Sequence, residues 1–414
     1  MPYMQKCAKK ASGRVSKPFF GEIKGKHIRS MTVTVAMRDR KTSYFDNSAT
    51  TFLAKEVLDD MMPFMTSEYG NPGSIHWMGD AATIAVRKAR KQIASTLNSL
   101  SSEIYFTSGG TESDNIALMG SVHRGKRVIT TATEHSAILE TCAYLESHGV
   151  KVTILKTDRF GRVDPDDLRK EMGDDVAIVS VMAANNVIGT IQDVKEMAAI
   201  THEYGAYFHT DAVQAYTKMK LDMKEMGVDM LSISGHKIHG PKGIGVLYVN
   251  ENIDIRPITF GGGQESGMRP STENVPGIVG IGKAAEIASE KMTINIKRME
   301  KLRNEIIENT LNIRNSYLNG PEPENGRLCN NAHFRFDGIK GMDLVLKLSR
   351  EGIAASTASA CSAGSTDPSH VMTAIGLTAE QSLSALRISL SRYNTEDDVG
   401  YLNEVLPKIV SSMR

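Results

Sequence analysis

The chain has 414 residues, 41% of them hydrophobic, with 49 Lys and Arg against 48 Asp and Glu. That length supports two or three domains with a sizeable core, and the formal net charge of +1 argues against a nucleic-acid surface or an acidic partner-binding arm. The longest apolar run, "VAIVSVMAA", falls well short of the roughly 20 residues a membrane helix needs, and the four cysteines Cys7, Cys142, Cys329 and Cys361 form no CxxC pair, which favours a reducing cytoplasm and argues against a metal site.

Residues 1–43 hold eleven basic residues against Glu22 and Asp39, with no helical or strand period. They read as a basic, disordered extension, or as sequence upstream of a true start at Met31 or Met37; a transit peptide is the sharper alternative. Residues 44–60 are expected to pack with a C-terminal domain. The stretch "DAATIAVRKARKQIASTLN" then repeats apolar residues at helical spacing through Val86, Ala89, Ile93 and Leu97, with Asp80 placed to cap it. Seven short strand-like runs come next: "EIYFT", "RVITT", "KVTIL", "AIVSVM", "AYFHT", "MLSIS" and "IGVLYV". Most are separated by helical segments such as "TESDNIALMGSVHR" and "VKEMAAITHEYG". This alternation predicts an α/β large domain over 61–274, its mostly parallel sheet covered by helices on both faces.

After about residue 275 the pattern changes. A long charged helical stretch, "GIGKAAEIASEKMTINIKRMEKLRNEIIEN", precedes the strand "AHFRF" and the helix "GMDLVLKLSREG". In "ALRISLS", Leu386, Ile388 and Leu390 alternate with Arg387, Ser389 and Ser391, so Arg387 points away from the apolar face. Together these predict a smaller α+β domain over 275–414.

Ligands of parallel sheets sit at the carboxyl ends of strands, so the residues just beyond each run carry the functional signal. "EIYFT" runs into "SGGTESDN", where Gly109 and Gly110 allow a close turn and Thr111 to Asp114 reads as a capping box opening a helix, a setting that suits a phosphate. The other exits offer His135, then Asn185 and Asn186, then Asp211 and Gln214, and finally Ser234, His236 and Lys237. Each alone has a structural reading as a cap, a turn residue or a core histidine. Together they assemble a phosphate cradle, an acid and a lysine held in a tight small-residue turn. Pyridoxal 5'-phosphate needs that combination: a Schiff-base lysine, a carboxylate for its pyridinium nitrogen and donors for its phosphate.

Ten motifs in order span roughly 44–413: "YFDNSATT", "YGNPGSIH", "FTSGGTESDN", "ATEH", "NNVIGTIQ", "HTDAVQ", "SGHKIHGPKGIG", "GGGQESGMRPST", "SACSAG" and "LRISLSR". In this order they resemble the class V aminotransferases of fold type I, and within them the cysteine desulfurases of the NifS/IscS type. The resemblance implies that Lys237 carries pyridoxal 5'-phosphate. It also implies that Asp211 pairs with the ring nitrogen, Gln214 bonds the ring hydroxyl and His135 stacks on the ring. Gly110, Thr111, Ser234 and His236 would hold the phosphate, and Asn186 and Arg387 the substrate carboxylate. Thr272 would reach the phosphate of a neighbouring subunit in a homodimer, although "MRPST" departs from the family's usual R-x-G-T. Lys242, the competing lysine, lies in the turn entering the next strand and reads as structural or solvent-facing.

Cys361 narrows the chemistry. It lies in "STASACSAGSTDPSH", a run too poor in apolar bulk to pack well and therefore expected to move, whereas Cys142 and Cys329 read as structural. The implied reaction takes L-cysteine to L-alanine. Lys237 removes the Cα proton, His135 manages protons at the ring, and Cys361 takes the sulfur as a persulfide for an acceptor protein in iron–sulfur cluster assembly or tRNA thiolation. The chain stops after "DDVGYLNEVLPKIVSSMR", without the longer tail by which some relatives dock a scaffold protein, which leaves the acceptor open. A selenocysteine lyase, a plain class V aminotransferase with an incidental Cys361, and a non-catalytic scaffold are the rival readings.

Overall fold

The computed structural model describes residues 41–357 and 368–414. Residues 1–40 of the basic stretch and residues 358–367, with Cys361, lie outside the described residues, while Ser43, expected in the extension, already sits in a strand. All seven strand-like runs form strands, and all seven join one sheet. Its order is Ile104–Thr107, Gly245–Val249, Met230–Ser234, Tyr207–Asp211, Val176–Ser180, Arg127–Thr131 and Lys151–Leu155. The strands from Met230–Ser234 outward to Lys151–Leu155 pair in parallel. Gly245–Val249 runs antiparallel to both its neighbours. The chain between it and Met230–Ser234 holds only a 3-10 turn, Gly235–Lys237, too little for the helical crossover a parallel return requires.

Four central strands are buried at every residue, which is why they read as continuous apolar runs. Their alternation divides two cores. Ile178, Tyr207, Met230 and Leu247 pack beneath the helices Gly110–Ser121 and Ser136–Ser147. Val179, Phe208, Leu231 and Val246 pack on the other face with Trp77–Leu97, Val194–Glu203 and Val275–Glu290. At the sheet edge, Lys151–Leu155 keeps only Leu155 fully buried.

A second sheet of three antiparallel strands, in the order Ala385–Ser389, Asn331–Phe336 and Ser316–Leu318, backs onto a third core. Leu386, Ile388 and Leu390 face that core with Phe334, Phe336, Leu402 and Leu406, as the alternation predicts. Two further short strands, Ser43–Tyr44 and Ile353–Ala354, pair in parallel and tie the start of the described chain to this part.

Two local expectations are corrected. The long charged stretch is two helices, Val275–Glu290 and Met292–Leu311, broken at Lys291. Ile278 and Ile281 of the first face the large sheet, while Met299, Leu302 and Ile306 of the second face the C-terminal core. One straight helix cannot present apolar stripes to both, so the axis turns. The helix read from Asp80 starts at Trp77 and is capped by His76, whose Nδ1 accepts from the Gly79 N–H at 3.4 Å. Asp80 sits in the first turn, where its charge meets the positive end of the helix. Among the described residues no helix is long and apolar enough to cross a membrane.

Candidate active site

The exits of the parallel strands converge on a cavity of ≈ 240 Å³. Gly110 and Thr111, His135, Asn186, Asp211 and Gln214, and Ser234, His236 and Lys237 all line it, each from a different strand end or the turn beyond it. Lys237 ends the turn after Met230–Ser234. Its Nζ donates to the main-chain oxygens of Ser48 at 2.5 Å and Ala49 at 2.7 Å. Ser48 and Ala49 of the "DNSATT" segment thus form one wall of the cavity. The segment is laced to the lysine turn by Thr51, whose N and Oγ1 donate to the His236 oxygen at 3.0 and 2.8 Å, and to the exit of Tyr207–Asp211 by Gln214 Nε2, which donates to Ser48 O at 3.0 Å. Lys242 is exposed in the turn before the next strand.

One end of the cavity is built for an anion. The helix Gly110–Ser121 opens there, and its N-cap, Gly109, supplies no capping side chain. The expected capping box is therefore absent. Thr111 and Asp114 lie inside the helix, and Glu112 instead takes the Ser108 N–H. The result is a helix start whose first N–H groups face the cavity beside Thr111, Ser234 and His236, and such ends attract anions. Burial and the Lys237 ammonium push the His236 imidazole down to about 4, so it is neutral; its Nδ1 pairs with Thr50 Oγ1 at 3.0 Å.

The other end is acid-rich and closed. Asp211 Oδ1 accepts from the Val213 N–H at 2.8 Å, and burial raises its pKa, a shift opposed by His135 and Lys237. Behind it, burial and the charge of Asp211 push Asp114 well above the usual carboxylate range. Burial likewise pushes Glu134 up to about 8. Glu134 Oε1 accepts from Thr131 Oγ1 at 2.8 Å and Met182 N at 2.9 Å, while Glu134 Oε2 and Asp114 Oδ1 are buried with no hydrogen-bond partner among the described residues. His209 bonds Ser180 and Ser232 hydroxyls, each at 2.9 Å. Burial drives its pKa down to about 3, so it adds no cation. Three buried carboxyls crowded together make this end receptive to positive charge.

His135 lines the cavity and opposes the rise that burial causes in the Asp211 pKa. It caps the helix Ser136–Ser147, with Nδ1 accepting from the Ala137 N–H at 3.1 Å. The mobile proton of the neutral ring therefore belongs on Nε2. Asn185 and Asn186 divide their work. Asn185 is buried and staples its loop, its Oδ1 accepting from Val187 and Ile188 N–H groups at 2.9 Å each, while Asn186 lines the cavity.

Arg387 does not line the cavity but touches its rim. Its Nη1 donates to Asn186 O at 3.0 Å and its Nη2 to Asp46 Oδ1 at 2.9 Å. Thr272 lies apart, in a second cavity with Ser108 and Arg269. Cys142 and Cys329 are buried thiols pushed up to about 12 by burial, which makes them unreactive. Asp46, Asp114 and Glu134 belong to this constellation, yet the sequence offers Asp114 only as a capping residue and does not single out the other two. All three lie inside family motifs, but the burial of Asp114 and Glu134 and the pairing of Asp46 with Arg387, 341 residues away, leave no local pattern.

The family model for class-V aminotransferases matches residues 43–402, and the chain belongs to that family. It is similar to the cysteine desulfurase IscS of Methanosarcina thermophila, with 47% identity over 380 residues that cover 91% of this chain and 94% of that protein. Its likeness to the cysteine desulfurase IscS of Clostridium botulinum is 46%, over 90% of this chain and 96% of that protein. Among solved structures, a NifS-like protein superimposes with a TM-score of 0.85 at 40% identity, covering 90% of this chain and all of that one. SspA in complex with cysteine does so with a TM-score of 0.75 at 34% identity, covering 86% of this chain and all of that one.

Proposed function

We propose that this chain is a cysteine desulfurase dependent on pyridoxal 5'-phosphate. It converts L-cysteine to L-alanine and passes the sulfur to Cys361 for delivery to an acceptor protein. The single observation that carries this reading is the polarity of the Lys237 cavity. An uncapped helix start suits a phosphate, buried carboxyls suit a pyridinium, and the Lys237 amine lines the same cavity. Similarity to desulfurases and to a structure holding cysteine supports the substrate.

In this reading Lys237 holds the cofactor covalently and Asp211 faces its ring nitrogen. Gln214 faces the ring hydroxyl, and Gly110, Thr111, Ser234 and His236 take the phosphate. When bound, the cofactor supplies an electron-accepting ring conjugated to the substrate Cα. Lys237 Nζ, withdrawn from the Ser48 and Ala49 oxygens, takes the Cα proton as general base. His135 Nε2 holds and returns protons within the cavity. Asn186 and Arg387 orient the substrate through its carboxylate, since a guanidinium fork matches a carboxylate better than a lysine does. Cys361 as thiolate attacks the substrate sulfur. The C–S bond breaks as an S–S bond forms, the electron pair stays with the carbon skeleton, and that skeleton takes up protons and leaves as L-alanine.

The protein works in the cytoplasm as a homodimer. Exposed Tyr69, Ile75, Trp77 and Phe260 supply apolar surface for a second copy, and Thr272, outside the Lys237 cavity, would reach the neighbour's phosphate. The separate cores support a large lobe and a smaller C-terminal lobe carrying the Cys361 segment. Incubation with L-cysteine, followed by assay of L-alanine and mass spectrometry of Cys361, tests this reading. One added sulfur atom on Cys361 and its absence in Cys361→Ser are expected; turnover undiminished by Cys361→Ser would make the chain a different class V enzyme.

A further inference from the structure

Arg387 is the residue whose setting the proposed reaction does not explain. It is 2% exposed, so no donor of its guanidinium is open to an incoming ligand. Its Nη1 is bonded to the Asn186 oxygen at 3.0 Å and its Nη2 to Asp46 Oδ1 at 2.9 Å, while Nε is buried without a partner among the described residues. The Asp46 side chain is 20% exposed against 2% for Arg387, so Asp46 stands on the solvent side and caps the guanidinium. Asp46 is held by its own chain. It bridges Ser389 across the small sheet, and its main-chain oxygen accepts from Tyr44 Oη at 3.2 Å. His333, directly across the strand pair from Arg387, is kept neutral by burial, its pKa pushed down to about 3. Among the described residues, Asp46 is the one carboxylate paired with this guanidinium.

The cap is chemically the same group as the one Arg387 is to receive. A buried guanidinium left unpaired is strongly destabilising, and exchanging one carboxylate for another avoids that state. We propose that Asp46 is an internal stand-in for the substrate carboxylate: it pairs with Arg387 in the free protein and gives way when an α-carboxylate arrives. Asp46 is therefore a specificity-setting residue that selects for ligands able to replace it, because an amine lacking a carboxylate has nothing to offer Arg387 in exchange. This inference rests on the reading of Arg387 as the substrate-carboxylate site.

The test compares Asp46→Asn and Asp46→Ala with the parent holoenzyme. Removing the competing charge lowers KM for L-cysteine by about fivefold. It tightens binding of L-alanine, measured by calorimetry, to a similar degree, and leaves binding of cysteamine, which lacks the carboxylate, unchanged. A residue that only fixes the arginine's rotamer would act in the opposite sense, so a raised or unchanged KM and weaker L-alanine binding in both variants overturn the proposal. Arg387→Gln separates this failure from failure of the underlying reading. If it weakens L-alanine but not cysteamine, Arg387 is the carboxylate site whatever Asp46 does. If it affects neither, that reading falls and this inference falls with it.

Discussion

The two ends of the Lys237 cavity are made from opposite materials. At the helix start, backbone and short polar side chains line the cavity, and the N-cap, Gly109, brings no capping side chain. At the far end, Asp211, Asp114 and Glu134 are crowded and buried, and burial holds all three above the usual carboxylate range. The anion-seeking end uses groups with fixed partial charge, which need no proton to work. The acidic end depends on protonation, and its charge state shifts when a cation enters. A ligand positive at one pole and negative at the other fits this cavity in a single orientation.

Removing the cavity's amine has the largest expected effect. Lys237→Ala lowers desulfurase turnover by about 10³-fold or more, because general base and covalent anchor are lost together; L-alanine release measures it. At the acidic end, Asp211→Asn keeps the shape and removes the charge that the proposed function assigns to the ring nitrogen. The expected loss is about 10²-fold in kcat, with folding retained.

The opposite end is sharpened by Gly110→Ala. A Cβ there would meet Val213 Cγ2 at 2.8 Å, and overpacking of this kind costs about 1–3 kcal/mol, read as a lower Tm and weaker pyridoxal phosphate binding. Saturating the cavity with pyridoxal phosphate stabilises the parent in the other direction, by about 2.7 kcal/mol at a hundredfold excess over Kd.

A further effect is one of pH. The folded-state pKa of Glu134 lies near 8 against an ordinary 4.5, so the folded protein binds a proton that the unfolded chain has released. Its contribution therefore disfavours folding increasingly as pH rises from about 4.5 to about 8, and levels off above that. Glu134→Gln removes this slope. Denaturation of the variant and the parent across that range should show the variant gaining relative stability with pH.

Much of this site was legible because parallel strands buried on both faces are short, continuous and apolar, and because their polar residues collect just beyond them. Lys237, Asp211 and His135 stand out on that ground alone. The acidic end was not legible as such. Asp114 looks like a capping residue in "TESD", and only its 1% exposure shows that it turns inward to the sheet. Glu134 looks like a neighbour of His135, and its burial comes from strand packing. The pairing of Asp46 with Arg387 joins residues 341 apart in the chain, beyond any local period. The break at Lys291 was hidden because two helical stripes run on without a glycine or proline between them; the change of partner, from one core to another, turns the chain there.

The most direct measurement is borohydride reduction of the holoenzyme with subsequent peptide mapping. A pyridoxyl group on Lys237, lost together with the protein's visible absorbance in Lys237→Ala, is the expected result. A label on Lys242 or on buried Lys218, or no label at all, would contradict the assignment of Lys237 as the reactive amine of the cavity.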